Sequence, residues 1–459
     1  MNERTFCIQT FGCQMNVNDS GWLARALVRR GFVEVSPEEA DIHILNTCSV
    51  RDKPEQKVYS ALGRVRQLTS GKPGAFAVVA GCVAQQIGRG FFGRFPQVRL
   101  VVGGDGLAMA PDSLEKLCAD PGLRIDLTEF AAEYPERPTG LDGDGPLRGT
   151  AAVGPVAYVN IMQGCDNFCA YCIVPFTRGR QKSRPVAAVL DECRALLEHG
   201  AKELVLLGQN VNAYGQDAHG DGTTFPGLLH EVADLPGLYK LRFVTPHPKD
   251  FSPETVAAFR ELPVLASHLH LPVQSGSDAV LARMGRKYTR DGYLRLVEAL
   301  NKARPDIAFG TDIIVGFPGE TEADFKETLS VMQAVPYAGS FSFCYSDRPG
   351  AAACSMPDKV PSDVARLRLE RLQALQQTLT RKQLAGRVGL EADVMLESLS
   401  PRQPSAAGKS WQGRDPWGNV VHVALAARQG REPAPGRVMR ARIVTAHKHS
   451  LLAEEVPDD

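Results

Sequence analysis

Three cysteines within eight residues, Cys165, Cys169 and Cys172, carry the strongest chemical signal in this 459-residue chain. A Cys-x3-Cys-x2-Cys run supplies three thiolates, enough to ligate three irons of a four-iron, four-sulfur cube and leave the fourth iron open. A structural zinc site wants four ligands, and no nearby Cys or His completes such a set. Cys13, Cys48 and Cys82 form a second candidate set, separated by 35 and 34 residues. Each follows a strand-like segment, so thiols on neighbouring parallel strands would meet along one rim of a sheet. Three buried core cysteines would account for the same residues without any ligand. The other five of the eleven cysteines have a plainer reading. Cys7 and Cys344 lie in strand patterns, Cys118 and Cys193 in helical ones, and Cys354 in a loop flanked by Pro and Gly; small core residues explain the first four.

The elements that must position these thiols can be read in order. Strand patterns at Thr5–Thr10, Ala40–Asn46, Ala75–Ala80 and Arg99–Val102 alternate with helical periodicity at Asn18–Arg30 and Pro54–Leu68. That order predicts a parallel, flavodoxin-like α/β domain over residues 1–132. Glu133–Pro155 is crowded with Pro, Gly and Asp, the composition of a surface linker. The alternation restarts with strands at Val156–Ile161, Glu203–Leu207, Lys240–Val244, His268–Leu271, Ile307–Val315 and Gly339–Tyr345. Helices are expected at Val186–His199, Pro253–Leu262, Arg290–Ala303 and Glu322–Ala334. Six such units predict a partial (β/α)6 barrel over 156–384, and the Cys165 triplet falls just past its first strand, where βα barrels place chemistry. One long helix, Asp363–Leu384, should lay Val364, Leu367, Leu372, Leu375 and Leu379 on the barrel. Short strands at Leu390–Leu396, Asn419–Leu425 and Val438–Thr445 predict a small β-barrel over 385–459.

Composition narrows the functional classes. No run approaches 18 apolar residues, and Met1-Asn2-Glu3-Arg4 leads straight into a strand pattern, so a cytoplasmic protein without a membrane span is expected. Net charge is zero, but residues 381–450 hold 12 Lys and Arg against 5 Asp and Glu, a net of +7 that the remainder offsets with −7. A basic module on an acidic body suggests that a polyanion is held at that end. Arg178, Arg180, Lys182 and Arg184 follow the triplet, and Arg283, Arg286, Lys287 and Arg290 sit together later. They are candidates for nucleic-acid phosphate contacts. Trp411, Arg414 and Trp417 could stack on or grip unpaired bases, with core packing as the competing explanation for either Trp. Gly316–Glu320 lacks the Lys-Ser/Thr and the glycine spacing of a phosphate loop.

The triplet, with Tyr171 before its last Cys, resembles the signature of radical S-adenosylmethionine enzymes. Two cysteine triplets in this order, followed by a basic β-module that resembles a TRAM domain, are similar over essentially the whole chain to the methylthiotransferases. Asn46–Arg51, Gly208–Gly215, His270–Ser277 and Thr311–Thr321 resemble the tRNA-modifying branch of that family. The resemblance implies two 4Fe-4S clusters with three Cys ligands each, and S-adenosyl-L-methionine as both radical source and methyl donor. It implies cofactor contacts at Tyr171, Gly208, Gln209, Asn210, Gln274, Ser275, Thr311, Asp312 and Gly316. It further implies methylthiolation of ring carbon 2 of N6-dimethylallyl adenosine beside the anticodon, with no catalytic acid or base beyond the clusters. The implied partners are tRNA through its anticodon stem-loop and an electron donor such as flavodoxin or ferredoxin, with the chain a monomer. Sister enzymes acting on threonylcarbamoyl-adenosine or on a ribosomal-protein aspartate are alternatives, and an iron–sulfur RNA-binding sensor is the alternative from another class.

Overall fold

The computed structural model describes residues 4–49, 54–143, 145–218, 220–401, 410–425 and 433–456. Residues 1–3, Val50 and Arg51 of the Asn46–Arg51 motif, and Asp144 lie outside them. Strands β1 (Thr5–Thr10), β2 (Val33–Glu34), β3 (Ile42–Thr47), β4 (Phe76–Gly81), β5 (Val98–Val102) and β6 (Ile125–Leu127) form one sheet in the order β2-β1-β3-β4-β5-β6. All pairs are parallel, the doubly wound flavodoxin-like arrangement. β3 and β4 are buried along their whole length because helices cover both faces. β2 and β6 are too short and too exposed to show an apolar strand pattern, and sequence patterning missed both.

The first helix, Gln14–Val28, starts four residues before the periodic stretch that predicted it. Asn16 explains the early start, since its Oδ1 accepts from the Cys13 backbone N at 3.4 Å and draws the loop after β1 into a helical turn. The stretch expected to be a surface linker is instead strapped along this helix. Trp22 Nε1 donates to Pro138 O at 2.7 Å, Arg25 Nε to Thr139 O at 3.0 Å and Arg29 Nη2 to Leu141 O at 3.1 Å. Leu141 is buried in the barrel core. Composition flagged this chain as irregular, correctly, but irregular backbone can still be anchored when its carbonyls find donors.

The barrel begins with β7 (Val156–Asn160). A two-residue ladder of β8 (Met162–Gln163) with β9 (Lys182–Ser183) follows, then β10 (Glu203–Leu207), β11 (Lys240–Phe243), β12 (His268–His270), β13 (Ala308–Val315) and β14 (Gly339–Cys344). β7-β10-β11 and β12-β13-β14 are two parallel three-stranded half-sheets, joined at the Leu241–Leu265 bridge. This makes an open, partial barrel whose main apolar core lies between strands and surrounding helices. The helix Ser362–Ala385 packs on β14 and β13 through Ala365, Arg368 and Leu372, while Leu367, expected on its buried face, is exposed.

β15 (Glu391–Leu399), β16 (Ser410–Arg414), β17 (Val420–Ala424), β18 (Val438–Ala446) and β19 (Leu451–Glu455) close into a five-stranded barrel in the order β15-β16-β17-β19-β18. It sits at the amino-terminal end of the β/α barrel strands. Gly418 packs against the His268 ring, Trp417 Nε1 donates to Asp306 Oδ2 at 3.2 Å, and Leu384 of the long helix enters the small barrel's core. Among the described residues no helix is long and apolar enough to cross a membrane.

Candidate iron–sulfur and cofactor site

The β8–β9 ladder closes a loop that carries Cys165, Cys169 and Cys172 at the carboxyl end of the barrel's first strand. Gly164 opens the loop at φ +82, where a side chain would strike the carbonyls of Gly179 and Arg180. Cys165 N donates to Gly179 O at 3.3 Å and Cys172 N to Cys169 O at 2.9 Å, which curls the loop and turns the thiols inward. Arg286 enters from the β12 side, with Nη1 3.6 Å from Cys169 Sγ and 3.4 Å from the Tyr171 hydroxyl. Burial pushes the Cys172 thiol up to about 12 and raises that of Cys165. Thiols in this setting become thiolates when metal displaces their protons. The donor set is sulfur alone with a guanidinium behind it, which fits an anionic iron–sulfur cube and not a hard cation.

The second set assembles as the sheet order requires. Cys13 follows β1, Cys48 follows β3 and Cys82 follows β4, and β1 and β3 flank the point where the strand order reverses. In open α/β sheets that point is the ligand crevice. The Cys48 side chain fills the space a Gly12 Cβ would occupy, so only glycine at 12 lets the two loops approach. Asn16 Nδ2 donates to Asn46 Oδ1 at 2.8 Å and to Thr47 O at 3.1 Å, while Asn16 Oδ1 accepts from Cys13 Sγ at 3.3 Å. Arg178 closes the set from the barrel side, hydrogen-bonding Cys82 and lying near Cys13. The Cys13 thiol is held below its usual range, first by a hydrogen bond from Cys48 and then, against the effect of burial, by the Arg178 charge. Among the described residues no three His, Cys, Asp or Glu gather tightly enough for a single metal ion. A cube, with each cysteine on its own iron, spreads its thiolates more widely.

The two sets face each other across one side chain. Gln209 Oε1 accepts from Gly164 N, beside Cys165, and its Nε2 touches Met15 Sδ, two residues past Cys13. Next to Gln209, Asn210 Nδ2 donates to Asp250 Oδ2 at 2.8 Å, while its buried Oδ1 has no partner among the described residues. Gly208 lies where a side chain would strike Met162. His247, which sequence reasoning missed, is buried with Nδ1 accepting from Lys249 N at 3.2 Å. Nε2 therefore carries the proton and meets no described acceptor. Its only sequence signal was position after the third barrel strand.

The other expected cofactor contacts divide. Thr311 Oγ1 donates to Leu271 O at 2.9 Å and accepts from Val273 N at 3.0 Å, and Ser275 Oγ lies 3.3 Å from Thr328 Oγ1. Both are occupied within the fold. Gln274, at φ +66, pairs its backbone with Asp312 and Ile314. Gly316 packs on Ala365, with its N donating to Glu320 Oε1 at 3.0 Å; Glu320 in turn pairs with buried Arg368 at 2.8 Å. The Asp312 carboxylate faces the barrel opening, 3.1 Å from His270 Nε2.

Most of the expected phosphate contacts require correction. Arg178, Lys182 and Arg184 are 3%, 3% and 5% exposed. Arg178 pairs with Asp19 at 3.4 Å, Lys182 with Asp105, and Arg184 with Glu136 at 3.0 Å and with Glu192. A basic run looked like solvated surface, but alternate members point into the junction between the N-terminal domain and the barrel, where acidic partners neutralise them. Arg180 alone stays outside, on Asp166 at 2.7 Å. Arg286 is likewise buried, at the thiols. Trp411 is core in the small barrel. Trp417 is covered by Arg387, 3.6 Å from its ring centroid, and Arg414 is tied to Glu397 at 3.2 Å.

A thiol triplet with no fourth protein ligand, at the mouth of an open βα barrel, places the chain among radical S-adenosylmethionine enzymes. Residues 159–332 match the Radical SAM superfamily, and residues 5–103 match Uncharacterized protein family UPF0004. Curated relatives named tRNA-2-methylthio-N(6)-dimethylallyladenosine synthase align end to end. The protein of Nitratidesulfovibrio vulgaris is 61% identical over 99% of both chains, and that of Oleidesulfovibrio alaskensis 54% identical over 99% of both. That of Geobacter sulfurreducens is 45% identical over 98% of this chain and 97% of its own. The chain belongs to this family. Among solved structures, the radical S-adenosylmethionine methyltransferase TsrM from Kitasatospora setae, with cobalamin and a four-iron cluster bound, superposes with a TM-score of 0.55. It is 15% identical and covers 77% of this chain and 74% of that one, a likeness of fold.

Proposed function

We propose that this protein adds a methylthio group to ring carbon 2 of N6-dimethylallyl adenosine beside the anticodon of tRNA. Cys165, Cys169 and Cys172 hold one four-iron cluster, and Cys13, Cys48 and Cys82 hold a second. The observation that carries the reading is Gln209, whose one side chain reaches from the first thiol set to the second. When bound, the clusters and S-adenosylmethionine supply the electron, the hydrogen abstraction from ring carbon 2, the sulfur and the methyl group. An aromatic C–H has no usefully acidic proton, so the protein's own work is placement.

Asn210 Oδ1, an acceptor without a partner, suits an amino group of the cofactor's methionine part. Arg286 offsets negative charge behind Cys169, and Arg178 does the same behind Cys82. Met15, Val205 and Leu207 form a dry wall between the two sets. The +7 excess in residues 381–450 suits tRNA backbone, with Arg440 and Arg442, each about 60% exposed and sharing the one carboxylate of Glu391, as described members of that surface. A small flavin or iron–sulfur protein such as flavodoxin or ferredoxin supplies electrons to the chain, which acts as a cytoplasmic monomer. The test is anaerobic reconstitution with S-adenosylmethionine, a reductant and tRNA carrying the prenylated adenosine. Nucleoside mass spectrometry should show the methylthio product, and its absence from fully iron-loaded protein would refute the reading.

A further inference from the structure

Phe341 is the most exposed large apolar side chain among the described residues, at 62%, and Phe343 two residues on is 42% exposed. Both lie on β14, the last strand of the open barrel. Ser340, Ser342 and Cys344 alternate with them on the other face, and Cys344 packs against the outer core between strands and helices. Phe341 and Phe343 therefore face the barrel opening. Register agrees, since Phe341 pairs with Asp312 and Phe343 with Ile314 on the neighbouring strand. The Phe341 ring lies 5.8 Å from that of His270, whose Nε2 holds Asp312.

The opposite half-barrel is occupied. Met15 and Cys13 of the N-terminal domain pack on Val205, Leu207 and Val244, covering the β10 and β11 side of the opening. The β12–β14 side has no such cover and presents two phenyl rings to water, an arrangement a folded protein retains where something docks. Placing ring carbon 2 of the base between the two thiol sets leaves the N6 substituent on the far edge of the purine. That edge points away from the thiols and toward this uncovered side. The substituent is a branched, apolar dimethylallyl chain, and phenyl rings are the surface that would desolvate it.

We infer that Phe341 and Phe343 form the specificity wall that receives the dimethylallyl chain, so that the enzyme selects prenylated over plain adenosine. This rests on the proposed function. Burying two of the chain's carbons against phenyl rings corresponds to roughly tenfold in affinity. The experiment measures binding of two anticodon stem-loop RNAs, one with N6-dimethylallyl adenosine and one with adenosine, to the reconstituted full chain. Iron content and thermal unfolding are checked for each variant. Wild type should prefer the prenylated RNA by about tenfold or more. Phe341→Ala and Phe343→Ala should each cut that ratio several-fold by weakening the prenylated RNA alone, and Phe341→Leu, still apolar, should keep most of it. An unchanged ratio in both alanine variants, or an equal loss for both RNAs, overturns the inference. A wild-type protein that methylthiolates prenylated RNA yet binds the two RNAs alike also overturns it while leaving the proposed function standing. Failure to form any methylthio product would instead remove the reading beneath it.

Discussion

The two thiol sets reach similar surroundings by opposite routes. The barrel set is written on one loop, eight residues long, and its geometry comes from that loop's own turns, with Gly164 and two backbone hydrogen bonds curling it. The N-terminal set is spread across seventy residues and exists only because β1, β3 and β4 lie side by side with their carboxyl ends on one rim. Each then recruits one buried arginine from outside itself. Arg286 comes to the barrel set from beyond β12, and Arg178 comes to the N-terminal set from the barrel's own cysteine loop. The second set is therefore a product of domain docking as well as of fold. A loop-borne site tolerates changes elsewhere, whereas a docked site depends on the interface.

Removing thiols should separate the two sets most sharply. Alanine at Cys165, Cys169 or Cys172 should abolish 5′-deoxyadenosine formation, because the barrel cluster and its open iron are lost. Alanine at Cys13, Cys48 or Cys82 should leave some cofactor cleavage and abolish methylthio product. Iron should fall from about eight to about four per chain in either case. Normal product yield from Cys48→Ala would collapse the distinction.

The interface gives the next largest effect. Lys182 and Asp105, both nearly fully buried, pair across the domain junction, with Lys182 also donating to Ala131 O at 3.1 Å. Asp105→Asn strands the ammonium and should cost about 3–5 kcal/mol of unfolding free energy. Denaturant titration reads the loss. Cofactor cleavage at the barrel set should survive better than methylthio product, whereas equal losses would mean that the barrel loop also depends on docking.

This contrast tracks what could be read in the sequence. The barrel triplet was legible because its ligands are local. The N-terminal trio was legible only once strands were assigned around Cys13, Cys48 and Cys82, since convergence is a property of sheet order. What patterning could not supply was the sign of exposure. Arg178, Lys182 and Arg184 read as a basic surface because their neutralising carboxylates, Asp19, Asp105, Glu136 and Glu192, mostly lie in distant segments or in a different domain. Trp411 read as a base-stacking residue for the same reason, its core partners being on other strands. The Gly- and Pro-rich stretch after residue 133 showed no periodicity, yet carbonyls of residues 138–141 anchor it to the first helix.

Protonation distinguishes the sets more gently. Burial, and then the charges of Arg286, Lys249 and Lys287, lower His247 to about 2 in the folded protein. Its unfolded value is about 6.5. Below that value the unfolded chain binds the extra proton, so stability is full above about pH 6.5 and falls as pH drops toward 2. Between pH 6.5 and 5 this amounts to about 2 kcal/mol. Urea unfolding at the two pH values should show the loss, and His247→Gln should shrink it. In the N-terminal domain His43 is also lowered, first by burial, and His43→Gln offers the matched measurement. If His247→Gln leaves the pH dependence intact, the cationic neighbourhood of the barrel set is not what the geometry implies.

The smallest effect concerns backbone strain. Where the N-terminal set needs conformational freedom it uses Gly12, but the barrel loop places Phe168 at φ +47, between two of its cysteines. A non-glycine residue in the left-handed region costs on the order of 1 kcal/mol or more. The Phe168 ring recovers little of this, being 53% exposed with the Arg180 guanidinium 5.6 Å from its centroid. Asn tolerates this conformation better than other non-glycine residues, and it does not enlarge the unfolded ensemble as Gly would. Phe168→Asn should therefore stabilise the iron-loaded protein by up to about 1 kcal/mol, read as a small rise in the denaturation midpoint at unchanged slope. Phe168→Gly should gain less, because the unfolded chain gains entropy. Destabilisation by both would show that the ring is held by contacts worth more than the strain. The barrel loop would then depend on its surroundings as the N-terminal set does.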